Sequence, residues 1–254
     1  MKKVLSLLAV IAIAATVICF AGCGEKVTAK VIDYQLTSEE YAFAVNPKDA
    51  DLLAKVNAFL KEIKGNGKFD EVVGHYFGEG SPVEITSAKE DSTKDQLIVV
   101  TEPGFELVIK PIDFDSIFQT LNTDGADIGM AGITKNEERA KLVSFSDSYY
   151  NAAQKLIVKS NDTKFKDVKS KEDVETVLKS LSKDVKIGVQ TGTTGHSYVD
   201  GDESFGFAGL TATSVGYQTG SLAVNAMLNG DVDYVIIDEA PAACIVKAIN
   251  ALNG

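Results

Sequence analysis

An α/β fold is predicted by two observations. Short apolar runs of strand length recur along the chain, and amphipathic stretches of helical period lie between many of them. Alternation of this kind points to mostly parallel sheets, because a helix between strands brings the chain back in the same direction.

In chain order, a helical stripe comes first. Leu52, Leu53, Val56, Phe59, Leu60 and Ile63 fall on one face and stop at Gly65, a common helix-ending residue. The polar, aperiodic stretch 79–94, EGSPVEITSAKEDSTK, reads as a linker. Buried strands are predicted at Leu97–Thr101, Leu107–Lys110, Asp127–Ile133, Leu156–Lys159, Val185–Gln190 and Val232–Asp238. Helices are predicted at Ser221–Leu228 and Ala240–Leu252, and the chain contains no internal repeat.

The N-terminus has the layout of a secretory signal: Lys2 and Lys3, an apolar run from Val4 to Phe20, then small residues ahead of Cys23. FAGC resembles the lipobox of bacterial lipoproteins. That resemblance implies lipidation at Cys23, cleavage after residue 22, and a chain anchored outside the cytoplasm, at the cell surface or in the periplasm. An uncleaved membrane anchor is the other reading, although the run is short for a span of about 20 residues. Removal of residues 1–22 leaves 232 of 254, enough for one large or two small domains. It also takes the net charge from −11 to −13, which argues against nucleic acid and against broad contact with anionic lipid. Cys244 is then left without a partner for an internal disulfide. His75 and His196 lie far apart and near no cysteine, so no metal site, cofactor site or catalytic triad is legible.

Three segments carry chemistry. In AGITKNEER, Gly132 and its neighbour Ala131 bare a strand end, Thr134 offers a hydroxyl, and Arg139, the single arginine of the chain, follows. Its planar fork can grip a carboxylate through two parallel bonds, which lysine cannot do. Taken alone, it also reads as a solvated charge on the first turn of a helix. In GVQTGTTGHS a strand runs into a glycine loop with Thr193 and Thr194. The loop lacks the lysine of a phosphate-binding loop, and a plain structural turn remains open. In DVDYVIIDEAPAA a buried strand ends on Asp238, either facing a ligand at the carboxyl edge of the sheet or capping the helix that follows.

Together, SFSDSYY, GVQTGTT and DYVIIDEAPA resemble the family 3 solute-binding proteins, receptors that deliver polar amino acids to ABC importers. The resemblance covers nearly all of the chain after the signal. It implies a two-lobed fold of the type II periplasmic-binding class and a polar L-amino acid ligand. It also implies ABC permease subunits as partners and membrane contact through the lipid anchor only. Arg139 would clamp the ligand carboxylate, assisted by Thr134, Gly132 and the Thr193 and Thr194 loop, and Asp238 would take the ammonium. QLIVVTEPGF and KPIDFDSI look like the segments that offer aromatics, here Phe105 and Phe114, with Glu102 helping the ammonium. Side-chain selectivity would rest on groups around His196, Gln190 and the aromatics.

The order of segments departs from the family. Residues 41–80 resemble the C-terminal end of its members yet come first here, so the chain reads as a circular permutation with residues 79–94 joining the old termini. The implied layout is a strand at 23–34 joining lobe 2, lobe 1 at 35–150, and lobe 2 at 151–254. Lobe 1 is expected to be incomplete. Only five residues, Glu102 to Glu106, separate two strands that should be parallel, where a crossover needs about a dozen. Either Leu107–Lys110 leaves its place, a neighbouring chain covers the face, or the lobe is defective. A dehydratase of the cyclohexadienyl type, also similar to these receptors, is the rival, with His196 and Glu102 as its acid–base candidates. A relic that binds nothing is the third reading.

Overall fold

The computed structural model describes residues 27–77 and 108–253. The predicted signal 1–22, Cys23, the linker 79–94, the strand at Leu97–Thr101, Glu102, Phe105 and Leu107 lie outside these residues.

The described strands form two sheets. The first is built around β2 (Glu39–Val45), with β3 (Ile128–Thr134) antiparallel along one edge. Along its other edge β5 (Tyr150–Ala152) pairs with residues 39–41 and β4 (Ser144–Phe145) with residues 44 and 45. The second sheet has the order β1 (Ala29–Val31), β6 (Gln154–Lys159), β9 (Tyr234–Asp238), β7 (Lys186–Gln190), β8 (Thr213–Tyr217).

Two helices, α1 (Ala50–Gly65) and α2 (Lys68–Phe77), follow β2. A 3-10 turn at Phe114–Ser116 leads into α3 (Ile117–Asn122), and the short α4 (Glu137–Ala140) follows β3. Around the second sheet lie α5 (Lys171–Lys179), α6 (Thr194–Asp200), α7 (Gly220–Asn229) and α8 (Glu239–Asn253).

The α/β class holds, but the expectation of mostly parallel sheets is corrected. Parallel pairing among the described strands is confined to β7 with β8 and β7 with β9. Those strands are joined through α6 and α7, which supply the crossovers that parallel neighbours require. The first sheet, and the β1–β6 and β6–β9 pairs, are antiparallel.

The apolar runs of the second sheet read clearly as strands because both faces are covered. Leu156, Val158, Ile187, Val189 and Ile236 pack under Val174 and Leu178 of α5 and Val199 of α6. The alternate residues Ile157, Val235 and Ile237 pack against Val224 and Met227 of α7 and Val246 and Ile249 of α8. Helix α5 starts where Ser170 Oγ accepts from Asp173 N–H (3.1 Å) while Asp173 accepts from Lys169 N–H (2.8 Å), two terminal donors satisfied by one short motif. β1 lies at the sheet edge, and the buried ammonium of Lys155 holds Asp33 and Glu239 at 3.2 Å each.

The first sheet packs on a smaller cluster of Ala44, Ile117, Leu121, Ile133 and Val143. Within the predicted stripe of α1 only Leu60 is fully buried, and Phe59 is 42% exposed. The predicted strand at Leu107–Lys110 is corrected where it is described, because Val108 to Lys110 have no regular structure. Val108 is nevertheless buried, and Lys110 Nζ donates to the Gly125 carbonyl at 3.0 Å. Pro111 follows at once, lacking an N–H for a ladder and biasing Lys110 away from helix.

Candidate functional site

The carboxyl ends of β7, β8 and β9 open onto one cleft of about 440 Å3, where α/β sheets carry ligands. Gln190, Gln218 and Asp238 come from those three ends; Tyr41, Gly132 and Phe114 face them from the first sheet and its 3-10 turn.

Asp238 is the last residue of β9, and its Oδ1 accepts from the Tyr41 hydroxyl at 2.5 Å and from Gln154 Nε2 at 2.9 Å. Burial pushes its carboxyl up to about 6, and the charge of Glu39 adds to the rise, while the bonds from Tyr41 and Gln154 oppose it. Tyr41 is raised in turn, first by burial and then by the charge of Asp238.

Glu39, two residues before Tyr41 and so on the same face of β2, is buried. It accepts from Thr37 Oγ1 (2.5 Å), Thr134 Oγ1 (2.6 Å) and Gln154 Nε2 (3.1 Å). Gln154 therefore spends its amide nitrogen on two carboxylates, while its Oε1, fully buried, has no hydrogen-bond partner. A Cβ added to Gly195 would stand 2.7 Å from that oxygen, so the first turn of α6 reaches it because residue 195 is glycine.

Arg139 is buried in α4, whose start is capped by Asn136 Oδ1 accepting from Arg139 N–H at 2.7 Å. Its guanidinium donates to the carbonyls of Thr134 (2.7 Å) and Gly192 (3.1 Å) and lies 5.3 to 5.5 Å from the rings of Phe114, Phe118 and Phe205. Burial lowers its pKa, and Asp238, Glu39 and Asp202 work against that. Among the described residues no carboxylate forms an ion pair with it within 4 Å.

Two glycines permit close packing at the cleft, Gly132 within the first sheet and Gly192 between the second sheet and the 3-10 turn. Gly132 has φ +59 and a Cβ there would stand 3.1 Å from the Tyr41 ring; Gly192 has φ +76 and its Cβ would meet Asp115 at 2.9 Å.

Residues 98–202 match the family described as bacterial extracellular solute-binding proteins, family 3. That segment, less than half of the chain, is similar to this family. It is similar to a probable histidine-binding protein of Neisseria gonorrhoeae, 32% identical over 147 residues, which are 57% of this chain and 48% of that protein. It is also similar to the arginine-binding extracellular protein ArtP of Bacillus subtilis (strain 168), 34% identical over 70 residues, 27% of this chain and 28% of ArtP. Thus the chain spans about half the length of the first relative and about a quarter of the second. Among solved structures, the ancestral amino acid-binding protein AncCDT-1, a precursor of cyclohexadienyl dehydratase, is 31% identical with a TM-score of 0.46, covering 57% of this chain and 58% of that one.

Of the residues singled out from sequence, Asp238, Gly132, Thr193 and Phe114 line the cleft, and so do Ala131 and Gln190. Three others stand behind it. Thr134 is buried with its hydroxyl committed to Glu39, Thr194 is buried in the first turn of α6, and Arg139 lies beneath Phe114. Thr193 Oγ1 donates to the Gln190 carbonyl at 2.8 Å. Glu102 and Phe105 lie outside the described residues. His196, the acid–base candidate of the enzyme reading, accepts from Gly192 N–H at Nδ1 (3.2 Å) and holds Asp200 at Nε2 (3.1 Å), so both ring nitrogens are engaged away from the cleft lining.

Sequence reasoning missed Glu39, Tyr41 and Gln154, which set the charge state of the site. One signal was available: in EEYAFAV, Tyr41, Phe43 and Val45 alternate with Ala42 and Ala44 at period two, and Gln154 stands just ahead of the apolar run Leu156–Val158.

Proposed function

We propose that this chain is an extracytoplasmic lipoprotein receptor that captures a polar L-amino acid with a basic side chain and delivers it to an ABC permease. The observation that carries the reading is Asp238. Its Oδ1 is fixed by Tyr41 and Gln154, it faces the cleft, and no lysine or arginine is found among the described residues lining that cleft. A ligand ammonium is the complement of such a group, since a half-buried carboxylate without a cation is costly. The names of the two relatives, histidine-binding and arginine-binding, support a basic ligand. Arg139 holds the ligand carboxylate in this reading by exchanging its bond to the Gly192 carbonyl for the ligand, with Thr134, the Gly132 backbone and the loop of Thr193 and Thr194 assisting it. Cys23 carries the lipid, and Glu102 and Phe105 complete the site.

The layout that accompanies this reading is a permuted type II receptor, with residues 23–34 serving lobe 2, 35–150 forming an incomplete lobe 1, and 151–254 lobe 2. The edge position of β1 beside β6 supports it. Calorimetric titration of the processed chain against the twenty amino acids tests the function. Binding of arginine, lysine or histidine at micromolar concentration or below is expected; heats of dilution alone for all twenty would overturn it.

A further inference from the structure

The cleft has a second carboxylate, Asp113, at the end of the irregular stretch that precedes the 3-10 turn. Across the cleft from it stands Gln218, just past β8, and Gln218 Nε2 approaches Asp113 Oδ2 at 3.4 Å. Both side chains are exposed, and the separation exceeds the usual range for a hydrogen bond of this type. The contact is therefore loose, and a polar group of a ligand could enter it with little to break.

We propose that Asp113 and Gln218 read the cationic end of the ligand side chain. This rests on the amino-acid-receptor reading and goes beyond it by naming the residues that select the ligand.

Strand order places the pair. Asp238 ends β9, Gln190 ends the neighbouring β7, and Gln218 follows β8, the next strand out. Two strand spacings are about 10 Å, so Gln218 and Asp113 stand apart from the ammonium site by roughly the reach of a long basic side chain. The same lining offers Ile112, Phe114, Ile117 and Ala131, which suit a methylene stem. The cleft thus combines two carboxylates with an apolar wall. An amino acid with a charged ammonium, an aliphatic stem and a terminal cation presents the complementary groups. Gln218 now turns its amide nitrogen to Asp113, and a half-turn of that exposed amide would present its oxygen instead, so that a terminal guanidinium or ammonium finds two acceptors, one from each side of the cleft.

Asp113→Asn, which keeps shape and removes charge at an exposed position, tests this by calorimetry with ligands paired by charge: arginine with citrulline, and lysine with norleucine. Parent protein is expected to prefer the charged member of a pair, and the variant to lose about 10- to 100-fold of that preference while binding the neutral member nearly as before. Gln218→Ala should lower the same preference less, because a neutral acceptor is removed. Equal changes for both members of each pair, or no change, would overturn the proposal while leaving the receptor reading intact. A parent protein that binds only neutral side chains would also overturn it. Absence of any amino-acid binding by the parent would remove both.

Discussion

The amide nitrogen of Gln154 donates to Asp238 Oδ1 at 2.9 Å and to Glu39 Oε1 at 3.1 Å, so a single side chain joins the carboxylates at the facing edges of the two sheets. Both acceptors require the nitrogen, which fixes the orientation of the amide and leaves Oε1 as the buried atom without a partner. Gln154→Leu removes both bonds and leaves the two carboxylates facing each other. A loss of about 2 to 4 kcal/mol in denaturant unfolding is expected at pH 7, and a smaller one near pH 4.5, where protonation relieves the repulsion. Equal losses at both pH values would contradict the bridging role.

Asp238 makes stability depend on pH in the direction opposite to an ordinary salt-bridged carboxylate. Its folded value of about 6 lies above the unfolded one near 4, so between these values the folded chain holds more protons. Its contribution therefore falls as pH rises from about 4 to about 6, and the full penalty of about 2 to 3 kcal/mol stands above that window. Asp238→Asn should gain stability relative to the parent across this window and stay level above it, as urea unfolding at several pH values would show. A constant difference would refute the assignment. Ligand affinity should rise through the same window, since an ammonium binds the ionised form, and Asp238→Asn should weaken binding while flattening that rise.

Arg139→Lys keeps the charge and loses the fork. Lysine can serve only one of the two carbonyls and stacks poorly on Phe114, Phe118 and Phe205. Unliganded protein should lose about 1 to 3 kcal/mol, a Tm shift of several degrees for a chain of this size, and ligand affinity should fall with it. Full stability together with lost affinity would mean that the arginine serves the ligand alone.

Hydrogen exchange should separate the two sheets. The five-stranded sheet is covered on both faces by apolar clusters, whereas the described part of the four-stranded sheet packs on a smaller one. Amides of β2 and β3 are expected to exchange faster than those of β6, β7 and β9, because local opening there exposes less apolar surface. Uniform slow exchange across both sheets would show that the first sheet is as well covered as the second.

What could be read from the sequence follows from how local each signal is. The runs ending at Lys159, Gln190 and Asp238 announced strands because they are apolar on both faces, and the stripe before Gly65 announced a helix because its period is local. The strand Thr213–Tyr217, TSVGY, went unread because it alternates weakly at a sheet edge; the helix Lys68–Phe77 also went unread, although Phe69, Val72, Val73, Tyr76 and Phe77 stand at helical spacing.

By itself, the sequence determined the α/β class, the strand whose end carries Asp238, and the singular arginine at 139. Only the tertiary structure decided that Tyr41, 197 residues away, and Gln154, 84 residues away, would hold that aspartate. It also decided that burial, with the charge of Glu39 added, would raise its pKa and that Arg139 would turn its fork to two backbone carbonyls. The physical reason is that strand period and helical period are written within a few residues, whereas strand direction, sheet order and the charge around a carboxylate depend on which distant segments close against it.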